Sequence, residues 1–173
     1  MPPVITVEHL TKRYGNTVAV EDISFTVEEG EIFGVIGPNG AGKTTTVECV
    51  QGMRRADGGS MRVLGLDPMT QANALRQRIG SQFQQSALPD RLRVAEALDL
   101  FASFTPHPIA PDTLIEQWGL TERRNAAFGD LSGGQRRRLQ LLLVLLDEPN
   151  VLILDEPTND LDTDMLAALE DVL

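Results

Sequence analysis

The stretch GPNGAGKT, Gly37-Pro38-Asn39-Gly40-Ala41-Gly42-Lys43-Thr44, fits the phosphate-binding loop pattern G-x-x-x-x-G-K-[ST]. Its glycines let backbone amides turn inward, so that consecutive N–H groups can surround phosphate oxygens. The residues on either side supply the context the motif needs. Glu31 to Ile36 is uniformly apolar in IFGVI, as expected of a strand covered on both faces. From Gly42 to about Gly52 the pattern is helical, so the order predicted is strand, loop, helix.

Working outward, Val4, Ile5, Val7 and Leu10 predict a strand near the start, and Val18 to Val20 and Ile23 to Val27 predict two more. Asp57-Gly58-Gly59 reads as a turn and Ser60 to Leu64 as a strand. Asn73 to Arg78 suggests a short helix and Ile79 to Phe83 a core strand. Between Ala87 and about Phe128 the character changes, with helical patterns at Val94 to Phe104 and Asp112 to Trp118 separated by Pro106, Pro108 and Pro111. Gly133 to about Leu146 reads as a helix, Val151 to Leu154 as a buried strand, and Asp164 to Val172 as a final helix. The fold class expected is α/β. A mainly parallel sheet is joined by an N-terminal antiparallel β subdomain and an inserted helical subdomain over about residues 87–135.

Composition narrows the function classes. The 173 residues are 42% hydrophobic and 23% charged, ordinary for a globular protein that can bury a core. The net charge is −10 and the pI near 4.6, which disfavours nonspecific nucleic-acid binding, and no nucleic acid is expected as a partner. A local basic patch at Arg136 to Arg138 is compatible with that balance. Cys49 is the single cysteine, so no intrachain disulfide forms. No signal-peptide pattern opens the chain, and the longest apolar run, Leu141 to Leu146, falls far short of the roughly 20 residues that span a bilayer. A cytoplasmic location is expected, any membrane role coming through a partner.

Three further segments carry chemistry. Lys43 is placed to reach the β- and γ-phosphates of a nucleotide, and the Thr44 hydroxyl to bind Mg2+. Asp155 and Glu156 follow the buried strand VLIL. A carboxylate there can hold the magnesium, and the next one can orient or deprotonate an attacking water. Asp147-Glu148-Pro149 is a near-copy. If Asp147 ended the strand, Gly133 to Leu146 would have to hold a helix, a turn and a strand, which is too short. Asp147 therefore reads as a helix end, stopped by Pro149. LSGGQ, Leu131 to Gln135, can start a helix with Ser132 as its cap.

In this order the segments resemble the nucleotide-binding domain of the ATP-binding-cassette (ABC) family: Tyr14 in KRYG, GPNGAGKTT, a glutamine after Ile79-Gly80, LSGGQ, LDEP and NDLD. The resemblance covers nearly all of residues 1–173 as one domain. It implies that Tyr14 stacks on adenine, that Thr45 belongs to the nucleotide site, and that Gln84 senses Mg2+. Gln82 and Gln85 are rivals for the role of Gln84. Asp162 would contact an opposing subunit. The resemblance further implies a head-to-tail dimer in which each ATP lies between one subunit's phosphate loop and the other's Ser132, Gly133, Gly134 and Gln135. The catalytic set would then be Glu156, Lys43 and Gln84, and the metal set Thr44, Gln84 and Asp155.

Family members carry a further strand ending in a histidine near the γ-phosphate. Here Leu173 follows soon after Asp162, and the two histidines, His9 and His107, lie far upstream. An incomplete chain, without its C-terminal strands, is expected. The segment RIGSQFQQSALPDRLRVAEALDLFASF, Arg78 to Phe104, resembles the ATPases of bacterial multidrug or antibiotic-resistance exporters. The function implied is an ATPase subunit driving a separate integral membrane transporter, located peripherally at the inner face of the cell membrane. A non-transport translation factor of the same superfamily, or an ATP-binding fragment without efficient turnover, are the alternatives.

Overall fold

The computed structural model describes residues 3–82 and 88–154. Asp155, Glu156, Asp162, Gln84, Gln85 and the predicted helix at Asp164 to Val172 lie outside the described residues. The chain divides into two compact units, Met1–Ile79 and Gly80–Leu173.

In the first unit, strands β1 (Ile5–Tyr14) and β2 (Thr17–Val27) form an antiparallel hairpin. Its two-residue turn, Gly15-Asn16, has Gly15 at φ 56°. β3 (Gly58–Val63) pairs antiparallel with the other edge of β1, giving the sheet order β2-β1-β3. The two separate strands expected between Val18 and Val27 are one strand. His9 and Asp22, both at positive φ, sit where register shifts bend the ladder without ending it, and their side chains meet at 2.6 Å. One sheet face carries the core: Ile5, Val7, Leu10, Val20, Val27, Met61 and Val63 are buried, and with them Cys49 and Val50 of helix α1 (Lys43–Val50). Burial pushes the Cys49 thiol up, so it packs as an apolar side chain rather than a reactive one. The short helix α2 (Ala72–Arg76) anchors through Leu75.

One expectation fails here. Glu31 to Ile36 is not a strand among the described residues; Ile32 is 63% and Ile36 95% exposed. The physical reason is that a strand is completed by a neighbour's hydrogen bonds, and no described strand pairs with this run. Phe33 stacks on Phe25 of β2 with centroids 5.0 Å apart.

In the second unit, α3 (Val94–Ala102), α4 (Pro111–Gln117) and α5 (Gly133–Leu145) enclose a core that includes Leu98, Leu114, Trp118, Leu120, Leu139 and Leu142. Pro111 opens α4 at its first position, where the missing N–H costs nothing. β4 (Ile79–Gln82) and β5 (Val151–Leu154) form a parallel pair. A Cβ on Gly80 would lie 2.5 Å from Val144 and 2.8 Å from Pro149, so this position in β4 admits no larger residue. Helix α5 ends before Asp147, as the length argument requires, and β5 begins after Pro149. No helix among the described residues is long and apolar enough to cross a membrane.

Candidate functional site

The phosphate loop is shaped by its glycines. Gly40 and Gly42 are left-handed, at φ 81° and 83°, and a Cβ on Gly42 would lie 2.1 Å from the Ala19 carbonyl oxygen. Gly42 is also the N-cap of α1, whose first intrahelical bond runs from Thr46 N–H to Gly42 C=O (2.8 Å). The amides of Lys43, Thr44 and Thr45 therefore have no acceptor within the helix, and they stand at its positive dipole end. The Lys43 ammonium donates back to the carbonyls of Gly37 (2.8 Å) and Pro38 (3.1 Å). Ala41 N–H closes a turn on Pro38 C=O. Pro38, Asn39, Gly40, Ala41 and Thr44 are exposed.

This donor set fits a polyphosphate. It combines a helix N-terminus, a loop at left-handed glycines and one ammonium. It also suits Mg2+ in the way nucleotide sites use it, because Thr44 presents a hydroxyl and the phosphates supply other oxygens. No cluster of three or more His, Cys, Asp or Glu that could hold a metal by itself exists among the described residues.

Tyr14, at the end of β1, is 42% exposed. The Lys12 Nζ stands 5.5 Å and the Arg54 Cζ 5.3 Å from its ring centroid, both within cation–π reach. Each cation is itself held. Lys12 donates to Asp57 at 3.0 Å, and Asp57 also accepts the Arg13 N–H at 2.7 Å. The Arg13 amide first, and the Lys12 ammonium second, hold the Asp57 carboxyl below its ordinary range. Arg54 donates to Glu48 of α1 at 2.5 Å, a bond that raises the guanidinium's pKa further. Sequence reasoning did not single out Lys12, Glu48, Arg54 or Asp57. KRYG contains Lys12, but nothing local signals that a residue 40 positions on returns to the same ring.

In the second unit, LSGGQ opens α5 as expected. Ser132 is the N-cap; its Oγ accepts the Gln135 N–H (3.3 Å), and Gln135 Oε1 accepts the Ser132 N–H (3.0 Å). Gly133 and Gly134 both have ordinary φ, and a Cβ on either would meet nothing within 4 Å. Neither backbone conformation nor packing among the described residues requires glycine at these two positions. Arg136 is committed inward, donating to the carbonyls of Phe128 (3.1 Å) and Gly129 (2.6 Å) with its guanidinium 5.4 Å from the Phe128 ring. It serves as a brace for the start of α5 rather than as part of a basic patch.

Gln82, a rival to Gln84, ends β4 buried, with its Nε2 unpartnered among the described residues. Gln84 follows two residues later, outside them. β5 ends at Leu154, so Asp155 and Glu156 are the next two residues of the chain.

A family model described as ABC transporter matches residues 20–159, from β2 through the phosphate loop and LSGGQ to LDEPTN. The chain belongs to the ABC transporter family. A Nod factor export ATP-binding protein I of Ralstonia nicotianae is 39% identical over 165 residues, 92% of this chain and 51% of that protein. A daunorubicin resistance ATP-binding protein of Streptomyces coeruleorubidus is 40% identical over 165 residues, 91% of this chain and 52% of that protein. The chain thus spans about half the length of these relatives. Among solved structures, an ATP-binding subunit of an ABC transporter superposes with a TM-score of 0.79 at 25% identity, covering 98% of this chain and 72% of that one. An ABC-transporter cassette in its ADP conformation shares the fold, with a TM-score of 0.81 at 22% identity and coverage of 99% and 76%. The resemblance read from the motifs holds, including the likeness to antibiotic-resistance exporters.

Proposed function

We propose that this chain is the nucleotide-binding domain of an exporter's ATP-binding subunit, with residues 1–173 forming one domain and about 87–135 its helical subdomain. The observation that carries the reading is the pair Gly133-Gly134. Glycine costs a helix up to about 1 kcal/mol against alanine, and here neither glycine is required by φ or by packing among the described residues. A surface kept free of side chains beside a capped, positive helix end suits close approach by an anion held on another subunit.

ATP is the substrate in this reading. Lys43 and the amides of Lys43, Thr44 and Thr45 bind its phosphates, the ammonium exchanging the Gly37 and Pro38 carbonyls for phosphate oxygens. Gly37 to Gly42 shape the loop around them. Tyr14 stacks on the base. Thr44, Gln84 and Asp155 are the residues that would hold Mg2+. When bound, the ion offsets charge on the transferring phosphoryl group. Glu156 accepts the proton of the attacking water. Ser132, Gly133, Gly134 and Gln135 of a second such domain complete the site, with Asp162 at the same interface. An integral membrane subunit would be driven by the opening and closing of that dimer, which places the chain at the cytoplasmic face of the membrane through its partner.

The test uses the full-length protein. Glu156→Gln should hydrolyse ATP at least about a hundredfold more slowly and elute as a dimer with ATP. Lys43→Ala should lose nucleotide binding. Undiminished hydrolysis in Glu156→Gln reassigns the base, and full ATP binding by Lys43→Ala removes the phosphate-loop reading.

A further inference from the structure

The cations around Tyr14 have no part in the chemistry above. Two positive groups converge on one half-exposed ring from segments far apart in the chain: Lys12 on β1, and Arg54 in the turn that follows α1. Each is tethered by its own carboxylate, Asp57 and Glu48 respectively. A surface aromatic with a single adventitious cation needs no explanation. Two tethered ones hold a ring whose freedom is otherwise set by a hairpin end.

The tethers also have direction. Glu48 belongs to α1, and α1 begins at Lys43 in the phosphate loop. The turn after the helix is fixed to the same residue, since the amides of Met53 and Arg54 both donate to the Glu48 carbonyl (2.9 and 3.1 Å). Arg54 therefore rides on the helix whose other end presents the phosphate donors. The ring for the base and the amides for the phosphates are registered through one rigid eight-residue element, about 12 Å long.

We propose that Arg54 and Lys12 are positioning residues for adenine recognition, holding the plane of the Tyr14 ring in register with the phosphate loop. The inference rests on Tyr14 being the base-stacking residue. A ring already ordered by cation–π contacts gives up less side-chain freedom when a base stacks on it. Selectivity between a nucleotide and a bare polyphosphate would then depend on these two cations, although neither belongs to the phosphate loop.

The test compares ATP with inorganic tripolyphosphate as ligands of the full-length protein, by calorimetry. Arg54→Gln should weaken ATP binding about three- to tenfold and leave tripolyphosphate unchanged, with Arg54→Lys recovering part of the loss. Lys12→Met should act in the same direction. In a Tyr14→Ala background, Arg54→Gln should cost nothing more. NMR of ring-labelled tyrosine provides the second readout, with the Tyr14 signals assigned by their loss in Tyr14→Ala; these signals should move toward free-tyrosine values in Arg54→Gln. ATP affinity unchanged in Tyr14→Ala removes the stacking role itself. If Tyr14→Ala weakens ATP but Arg54→Gln does not, or binds it more tightly, the positioning role falls while stacking stands. Equal losses for ATP and tripolyphosphate in Arg54→Gln mark a purely structural residue and overturn the inference.

Discussion

A Cβ placed on Gly42 would lie 2.1 Å from the carbonyl oxygen of Ala19, so the phosphate loop turns into its helix directly against the backbone of β2. That contact ties the geometry of the anion site to the antiparallel sheet. Any side chain at this position must push either the loop or the strand.

Gly42→Ala should therefore fail on two counts. The left-handed backbone at φ 83° penalises any L-residue, and the neighbouring atom is a backbone oxygen that cannot rotate away. The expected cost is about 2 kcal/mol or more in denaturant unfolding, with ATP binding lost. Wild-type stability in this variant would mean that the loop relaxes freely.

Gly134→Ala should behave in the opposite way. Its backbone is ordinary and the described residues leave the space around it open, so alanine stabilises α5 by about 0.5–1 kcal/mol. Steady-state ATPase activity of the full-length protein should nevertheless fall at least about tenfold, since the methyl group occupies the surface offered to the opposing nucleotide. A raised melting temperature together with lowered turnover is the signature; unchanged turnover contradicts the dimer reading.

Arg136→Lys is not a conservative change. The guanidinium serves two carbonyls and one ring face at once, whereas an ammonium cannot reproduce that fork. The second unit should lose about 1–2 kcal/mol, followed by the fluorescence of Trp118, the single tryptophan of the chain and a buried one.

Acid should loosen the first unit through Asp57. Its folded pKa is depressed, by the Arg13 amide and then by Lys12. Its contribution to stability is therefore fully present above the unfolded value, about 3.9, and is lost as pH falls through the lower folded value. Urea midpoints measured from neutral pH down to about pH 3 should decline less steeply in Asp57→Asn than in wild type. Parallel slopes would show that Asp57 carries no such linkage.

What the sequence determined by itself was whatever depends on neighbours in the chain. The left-handed glycines of the loop, the Ser132 cap with Gln135 three residues on, the end of α5 before Asp147 and the strand Val151–Leu154 follow from spacing and local backbone preference. The three-dimensional fold decided what depends on long-range contact. Ile32 to Ile36 has the composition of a buried strand, but strand pairing takes a second chain segment, and none of the described residues provides it. Gly80 looks like any strand glycine until Val144 and Pro149 close over it, and Arg136 looks like surface charge until Phe128 and Gly129 accept its protons. Tyr14 was legible as a ring and as a role. Its two cations were not, because Arg54 reaches it only after β1 and α1 have been brought together by folding.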